Sequence, residues 1–441
     1  MSAADVRLYH LTLALLIGLV FGVDIALAVS APEVARSGPL PIDAILAAKT
    51  IVGAVTISRN GQRFAYSLRN PSAITVIDAN ANDARLFTDT GVPVDARNTD
   101  ILITDVGTGA TENLTEGKAS NWGPVWSPNG RFLAFYSDRD GSERLWIYDL
   151  ATHTLHRASE AIVHPYLVLT EVPEWSPDSR KVLVKLLPKG LSIKEAEYLA
   201  HSPRMERDGV TASRLGPTVE IYRPSDNQQS PWIKAELSDL GLIDVANGEV
   251  TRVATRVNPV WYGIAPAADY VAYATINSLM NGNDLQNLFD LIVLLPDGSE
   301  VKVATDIQER GPSMAISWSP NGEWLSYTDS AGDCYVASVT GQLARKVTQS
   351  PHPSFRDVPI WDSASKNLFF IVEARELWRV SMTNGGTKRL GDIPGHLLLQ
   401  VVGPRPRGRF WSPDGERTLM IATLDDDTKQ SGFFTIDLTT G

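Results

Sequence analysis

Pro124-Val125-Trp126-Ser127-Pro128-Asn129-Gly130-Arg131-Phe132-Leu133-Ala134-Phe135-Tyr136-Ser137-Asp138-Arg139-Asp140-Gly141, followed by Leu145-Trp146-Ile147-Tyr148-Asp149-Leu150, decides how the whole chain is read. A short extended run enters a Ser-Pro-Asn-Gly turn and an apolar run leaves it. Asp140-Gly141 marks a second turn, and Leu145 to Asp149 make a further strand. The unit is a β-meander. It returns as Trp175-Ser176-Pro177-Asp178, Trp318-Ser319-Pro320-Asn321-Gly322 and Trp411-Ser412-Pro413-Asp414-Gly415, each followed by a strand-like run. A repeat of this kind sets the architecture before any residue is given a role.

Degraded copies complete the series. Ile57 takes the tryptophan position ahead of Ser58-Arg59-Asn60-Gly61, Ile264 takes it ahead of Ala265-Pro266, and Trp361 precedes Asp362-Ser363. The residues that follow this position are Ser58, Ser127, Ser176, Ala265, Ser319, Asp362 and Ser412, at intervals of 69, 49, 89, 54, 43 and 50 residues. Two intervals are stretched by insertions, and the others match the ~40 to 50 residues of one propeller blade. Seven passages predict an all-β fold, a seven-bladed β-propeller of four-stranded antiparallel blades, with six to eight blades possible. Small sheets that are hydrophobic on both faces need neighbours, so the array is expected to close into a ring with its tryptophans packed between blades.

Within this scheme the first repeat has later strands at Ala73 to Asp78 and Asp100 to Val106. An arm at about 186–236 interrupts the third repeat; in it Ser192 and Glu195 have capping-box spacing for a short helix, and Thr218 to Tyr222 reads as a strand. The seventh repeat opens at Trp411 and has strands at Arg417 to Thr423 and Gly432 to Asp437, with no outgoing strand after Thr440-Gly441. The last blade is therefore expected to be incomplete unless residues around Ile51 to Ile57 supply a strand. A ring closed in that way would be less stable than that of a longer relative.

The chain has 441 residues, a formal charge of -11, 43% hydrophobic residues and one cysteine. An acidic balance without any Lys/Arg-rich run argues against nucleic acid as a partner. Cys334 has no intramolecular disulfide partner and reads as a small apolar filler. Residues 1–30 resemble an export signal, with Arg7 in a polar start, an apolar core from Leu11 to Val23, and Ala26-Leu27-Ala28 for cleavage. An uncleaved anchor is the alternative. No later stretch reaches the ~18 uninterrupted apolar residues of a membrane span, so the mature chain is expected to be periplasmic or secreted, without a stable span after signal cleavage. The domain reading is a signal at 1–30, a linker at 31–49 and the propeller at 50–441.

The combination of Trp-Ser-Pro-Asp/Asn-Gly, an apolar strand, Ser137-Asp138-Arg139-Asp140-Gly141 and Leu145-Trp146-Ile147-Tyr148-Asp149-Leu150 resembles the repeats of TolB-type propellers. It is also similar to the N-terminal propeller of the prolyl oligopeptidase family of serine peptidases, including its dipeptidyl peptidase IV-like branch. The likeness covers roughly residues 50 to 441 and is specific for the propeller. Phe87-Thr88-Asp89-Thr90-Gly91-Val92-Pro93 and the arm in the third repeat favour the peptidase side of it. The resemblance implies a filter that limits which peptide or protein substrates reach a hydrolase centre. In that family the chemistry belongs to an α/β-hydrolase domain with a Gly-x-Ser-x-Gly elbow. No such elbow occurs here, and the nearest string, Gly311-Pro312-Ser313-Met314-Ala315, lacks the final glycine. The chain is thus expected to be non-catalytic, with its partner a peptide or protein at the channel or rim and a hydrolase domain supplied elsewhere. The alternative is a TolB-type scaffold that binds proteins or peptides.

Several groupings invite a chemical role, and each has a plainer explanation. His153 and His156 flank a turn, where His-x-x-His spacing does not bring both rings to one side. His164, His201, His352 and His396 are scattered. The family's dipeptidyl peptidases hold a substrate amino terminus with adjacent glutamates; none are adjacent here, and Glu171 with Glu174 or Glu195 with Glu197 read as surface charge. Asp425-Asp426-Asp427 fits a solvated hairpin turn better than a calcium site. Asn113-Leu114-Thr115 matches a glycosylation sequon that is common by chance. No catalytic, cofactor-binding or metal-binding residue is assigned, and no cofactor is expected.

Overall fold

The computed structural model describes residues 49–69, 87–165, 171–196, 237–267, 269–279, 286–310, 315–341, 344–349, 353–355, 358–401 and 417–440. The expected signal, most of the linker, the strand at Ala73 to Asp78, the arm beyond Ala196, the Trp411 motif and the Gly311 string lie outside these residues.

Side chains of the repeat motif build its turn. Ser127 Oγ donates to Asn129 Oδ1 at 2.7 Å, while the backbone N–H groups of Phe132 and Arg131 donate to Ser127 Oγ and Asn129 Oδ1, both at 2.9 Å. Gly130 sits at φ 72°, where a side chain would be strained, and its N–H donates to the Ser127 carbonyl. Ser58 with Asn60, Ser176 with Asp178, and Ser319 with Asn321 repeat these bonds. At the degraded copies Asp362 Oδ1 accepts from the Lys366 and Asn367 amides. Ala265 is left with the backbone bond from its N–H to the Tyr270 carbonyl.

Each turn joins the first two strands of one small sheet. Blade 1 comprises β1 (Thr50–Ile57), β2 (Arg63–Arg69), β3 (Thr99–Asp105) and β4 (Thr111–Asn113). Blade 2 comprises β5 (Asn121–Trp126), β6 (Phe132–Ser137), β7 (Arg144–Asp149) and β8 (Thr154–Arg157). Blade 3 has β9 (Glu174–Trp175), β10 (Lys181–Leu186), β11 (Ser238–Asp244) and β12 (Val250–Val257). Blade 4 has β13 (Pro259–Ile264), β14 (Val271–Leu279), β15 (Gln286–Leu294) and β16 (Glu300–Arg310). Blade 5 has β17 (Ile316–Trp318), β18 (Trp324–Thr328), β19 (Cys334–Ser338) and β20 (Arg345–Lys346). Blade 6 has β21 (Ile360–Trp361), β22 (Asn367–Val372), β23 (Glu376–Ser381) and β24 (Thr387–Asp392). Among the described residues blade 7 has three strands, β25 (His396–Val401), β26 (Thr418–Asp425) and β27 (Ser431–Asp437).

Strands pair antiparallel in chain order within every sheet. This is the seven-bladed β-propeller fold, with a three-stranded last blade. Two details of the sequence reading are corrected. Blade 7 begins with β25, ahead of Trp411, because His396 to Val401 pair with Asp425 to Ile421. Ile51 to Ile57 belong to β1 and pair with β2, so they do not complete blade 7. The capping box at the head of the arm is present: Ser192 N and Oγ both donate to Glu195 Oε2 at 2.7 Å, and Glu195 N donates to Ser192 Oγ. Among the described residues no helix is long and apolar enough to cross a membrane.

The chain divides into two compact units, the first holding blades 1 and 2 and the second holding blades 3 to 7. In the first unit Ala65, Ile101 and Ile103 of blade 1 meet Trp126, Leu133 and Phe135 of blade 2. Trp126 also donates its indole N–H to the Thr56 carbonyl at 3.3 Å. In the second unit Trp318 lies in the core between blades 4 and 5, and Trp361 in that between blades 5 and 6. The tryptophan position thus ends the first strand of a blade and fills the interface with a neighbouring blade.

A further regularity joins the third and fourth strands. Asp239, Asp290, Asp333 and Glu376 stand at one position of their blades and bind Arg252, Lys302, Lys346 and Arg389. In each case the cation lies opposite the residue two beyond the acid, at Gly241, Ile292, Tyr335 and Trp378. Blade 1 keeps the acid, Asp100, which accepts from Thr115 Oγ, Asn113 Nδ2 and Gly117 N. Blade 2 has Arg144 at the acid's place, and Asp140 binds both it and Arg157. Buried carboxylates keep their charge only with such partners, and losing one leaves an expensive orphan.

Two outcomes follow for stability. Trp126→Ala empties the interface between blades 1 and 2 and should cost about 3–5 kcal/mol in denaturant unfolding. Trp126→Phe, which loses the indole hydrogen bond and little volume, should cost about 1 kcal/mol. Lys302→Ala strips the buried Asp290 of its cation and should cost about 1–3 kcal/mol. An unchanged unfolding midpoint would show that the ion pair is no more than surface decoration.

Candidate functional site

The first unit carries a cleft of about 220 Å³ where β3 and β4 of blade 1 face the turn after β7 of blade 2. Its polar lining includes Arg63, Glu112, Tyr148 and His153, and Ile103 and Leu150 form an apolar floor. The turn Asp149 to Thr154 places His153 at φ 53°, and its Nδ1 lies 3.0 Å from the Tyr148 hydroxyl. Burial, helped by the Glu112 carboxylate, pushes the Tyr148 phenol up, and Arg63 opposes the shift. A phenol held neutral donates or accepts a hydrogen bond and does not act as a nucleophile at neutral pH. Among the described residues neither Arg63 nor Glu112 is in an ion pair, and Asp105 also lines the cleft, so it presents one cation and two carboxylates.

In the second unit an acid joins two first strands. Glu174, at the head of β9, accepts a hydrogen bond from the Ile264 N–H at the end of β13, at 2.9 Å. Burial raises its carboxyl from 4.5 to about 8, while the Ile264 amide works against that rise. A carboxyl of this kind is protonated at neutral pH and can deliver a proton or bind a neutral acceptor. Its place is also structural, since it ties blade 3 to blade 4.

Other residues singled out from sequence are apart from one another. His153 lines the cleft, whereas His156 is exposed on β8. His164 is buried, and its backbone N–H donates to the Lys185 carbonyl. His396 Nε2 lies 3.5 Å from Asp425, and its ring meets Phe434 edge-on. Asp425 closes the hairpin turn by accepting from the Asp427 and Thr428 amides, and Asp426 pairs with Arg375. Glu195 is spent on the capping box; Glu197, His201 and His352 lie outside the described residues. Asn113 caps the turn at Thr115 and Glu116. Cys334 is fully buried in β19, and burial pushes its thiol up, so it is no nucleophile. Among the described residues no three His, Cys, Asp or Glu side chains gather as a metal site would require.

Sequence reading missed the Tyr148–His153 pair, and it took Glu174 for surface charge. The first could have been suspected from the β-hairpin, because Tyr148 and His153 flank one turn. Nothing local distinguishes Glu174, whose surroundings come from a strand 90 residues away.

No family model matches the chain. A stretch of 163 residues, 37% of the chain, is 28% identical to the uncharacterized peptidase YuxL of Bacillus subtilis (strain 168) and covers 22% of that relative. Among solved structures the chain is similar to an oligogalacturonate lyase in complex with manganese, at 15% identity and a TM-score of 0.48, over 88% of this chain and 90% of that one. It is also similar to Pyrococcus horikoshii acylaminoacyl peptidase, at 13% identity and a TM-score of 0.47, over 90% of this chain and 52% of that one. The chain spans about half the length of that solved peptidase, and the stretch matched to YuxL about a fifth of its length.

Glu174 yields a pH test. Its carboxyl keeps its proton in the folded chain over a range, from 4.5 to about 8, in which the unfolded chain has lost it. Stability should therefore fall as pH rises through that window. Glu174→Gln should flatten this slope relative to the unaltered chain in melts recorded across the window. Parallel curves for the two proteins would contradict the assignment.

Proposed function

We propose that this chain is the non-catalytic propeller of an exported serine peptidase of the prolyl oligopeptidase type. It admits extended peptides to a hydrolase centre that these residues do not provide. The observation that carries the reading is the meander with Ser137-Asp138-Arg139-Asp140-Gly141 at its second turn, built into seven successive sheets. Partial identity to a protein named as a peptidase supports it. The ionisable groups point the same way. Cys334 is buried, the Tyr148 phenol is held neutral, and Asp239 and Asp290 are committed to ion pairs. An export signal over residues 1–30 belongs to the same proposal, placing the protein in the periplasm or outside the cell.

A TolB-type scaffold that grips a folded partner is the second reading, favoured by the Trp-Ser-Pro-Asp/Asn-Gly motif common to both propeller classes. Two measurements separate the possibilities. A fluorophosphonate probe should leave the purified chain unlabelled, and stoichiometric labelling would refute a non-catalytic role. Titration of the tryptophan fluorescence with extended peptides should show saturable binding that a compact, disulfide-closed peptide of the same composition does not compete away. Binding to folded proteins alone would favour the scaffold.

A further inference from the structure

Between β2 and β3 the chain makes a tight loop, Phe87 to Pro93, whose ends pair with each other. The Thr88 N–H donates to the Val92 carbonyl and the Gly91 N–H to the Thr88 carbonyl, at 2.8 and 2.9 Å. Phe87 and Val92 are buried. Two bonds tie the loop to blade 2: Thr90 Oγ donates to Asp138 Oδ2 at 2.8 Å, and the Glu143 N–H donates to the Thr90 carbonyl at 3.0 Å.

Beneath the loop lies the carboxyl of Glu143. It is 0% exposed, and among the described residues neither of its oxygens has a hydrogen-bond partner. A Cβ at Gly91 would come within 2.9 Å of its Cδ, so the loop's backbone rests on the carboxyl group itself. Among the described residues the charged groups on the surrounding elements give it no cation. Arg139 lies over the Trp146 ring and donates to Asn121 and Ser137. Arg144, next to Glu143 in sequence, is held by Asp140 together with Arg157. Asp89, on the loop, is exposed and negative. Asp138 accepts from Ser120 N and Thr90 Oγ and sets a second negative charge near the carboxyl.

We propose that the Phe87–Pro93 loop is a proton-controlled strap, closed over Glu143 while that carboxyl is neutral and released when it ionises. An ionised carboxylate in this place would be buried, unpartnered and repelled by Asp138. Opening the strap lets water reach it and removes that cost. Burial first, and the Asp138 charge second, push the carboxyl well above its usual range, so the closed state holds its proton where the open state does not. Each pH unit in that interval should then raise the open population about tenfold. Released, the strap would withdraw the Thr90 hydroxyl from Asp138 and uncover two carboxylates at the edge between blades 1 and 2.

Hydrogen exchange of the Gly91 and Val92 amides, corrected for the pH dependence of the exchange chemistry, tests this on the full chain. Protection should fall by about tenfold per pH unit as pH rises above the ordinary carboxyl range. Amides of β6 should hold their protection. Glu143→Gln, with no proton to lose, should keep the strap protected throughout. Asp138→Asn removes the repulsion, makes an ionised Glu143 less costly under the closed strap, and should shrink the total loss of protection between low and high pH. Protection that does not change with pH in the unaltered chain would overturn the proposal. So would a Glu143→Gln strap that opens over the same range, or an Asp138→Asn strap that loses as much protection as the unaltered chain or more.

Discussion

A single blade of this protein cannot bury its own residues. Along β19 the side chains of Cys334 and Val336 enter the core shared with blade 6, and Ala337 enters the core shared with blade 4. Alternation along a strand sends successive side chains to opposite faces, and here both faces are apolar. Stacking one sheet on the next is thus the condition under which any of them is stable, and the indole of the repeat motif is placed where that stacking is closest. A fully buried large side chain contributes about 1.5–3 kcal/mol. Trp361, Phe369 and Phe370, all nearly inaccessible, show how much of blade 6 depends on its neighbours.

Polar groups inside such a stack must be matched, and the third and fourth strands do it with a repeated acid and cation. Because the register is the same in four blades, a long side chain from the outer strand always reaches the acid from the same direction. The cations keep contact with water while Asp239 and Asp290 are almost wholly buried, so at those two pairs the desolvation cost falls mainly on one partner. Against this pattern Glu143 and Glu174 stand out. Both are acids in or beside the blade interior, and neither has a cation; one keeps a backbone amide and the other has no partner at all. Among the described residues Glu143 has no donor and Glu174 one backbone amide, so burial leaves both carboxyls to hold their protons.

The cleft beside Tyr148 differs again, being formed by charges that face solvent. Arg63 comes from β2 and Glu112 from β4 of one blade, and Tyr148 and His153 from one hairpin of the next. A propeller is suited to such sites because its turns vary while the sheets stay in place. The gating role proposed for the chain asks for this division of labour: rigid blades to hold a rim, and turn residues to meet the peptide.

Blade number, the turn chemistry and the position of the first-strand tryptophans were legible in the sequence. They rest on local physics: Ser and Asn side chains bonding their own turn, glycine accepting positive φ, and alternating apolar residues on short strands. Blade 7 was misread at its start because β25, His396 to Val401, carries no motif of its own and is defined only by pairing with β26. The acid and cation pairs were invisible for a related reason, since members such as Asp239 and Arg252 are joined by strand register rather than by spacing. In one dimension Glu174 reads as surface charge and nothing marks Glu143. Only packing could bury them, because the strand or strap that covers each comes from a distant part of the chain, and a carboxyl's proton affinity is set by what excludes water from it.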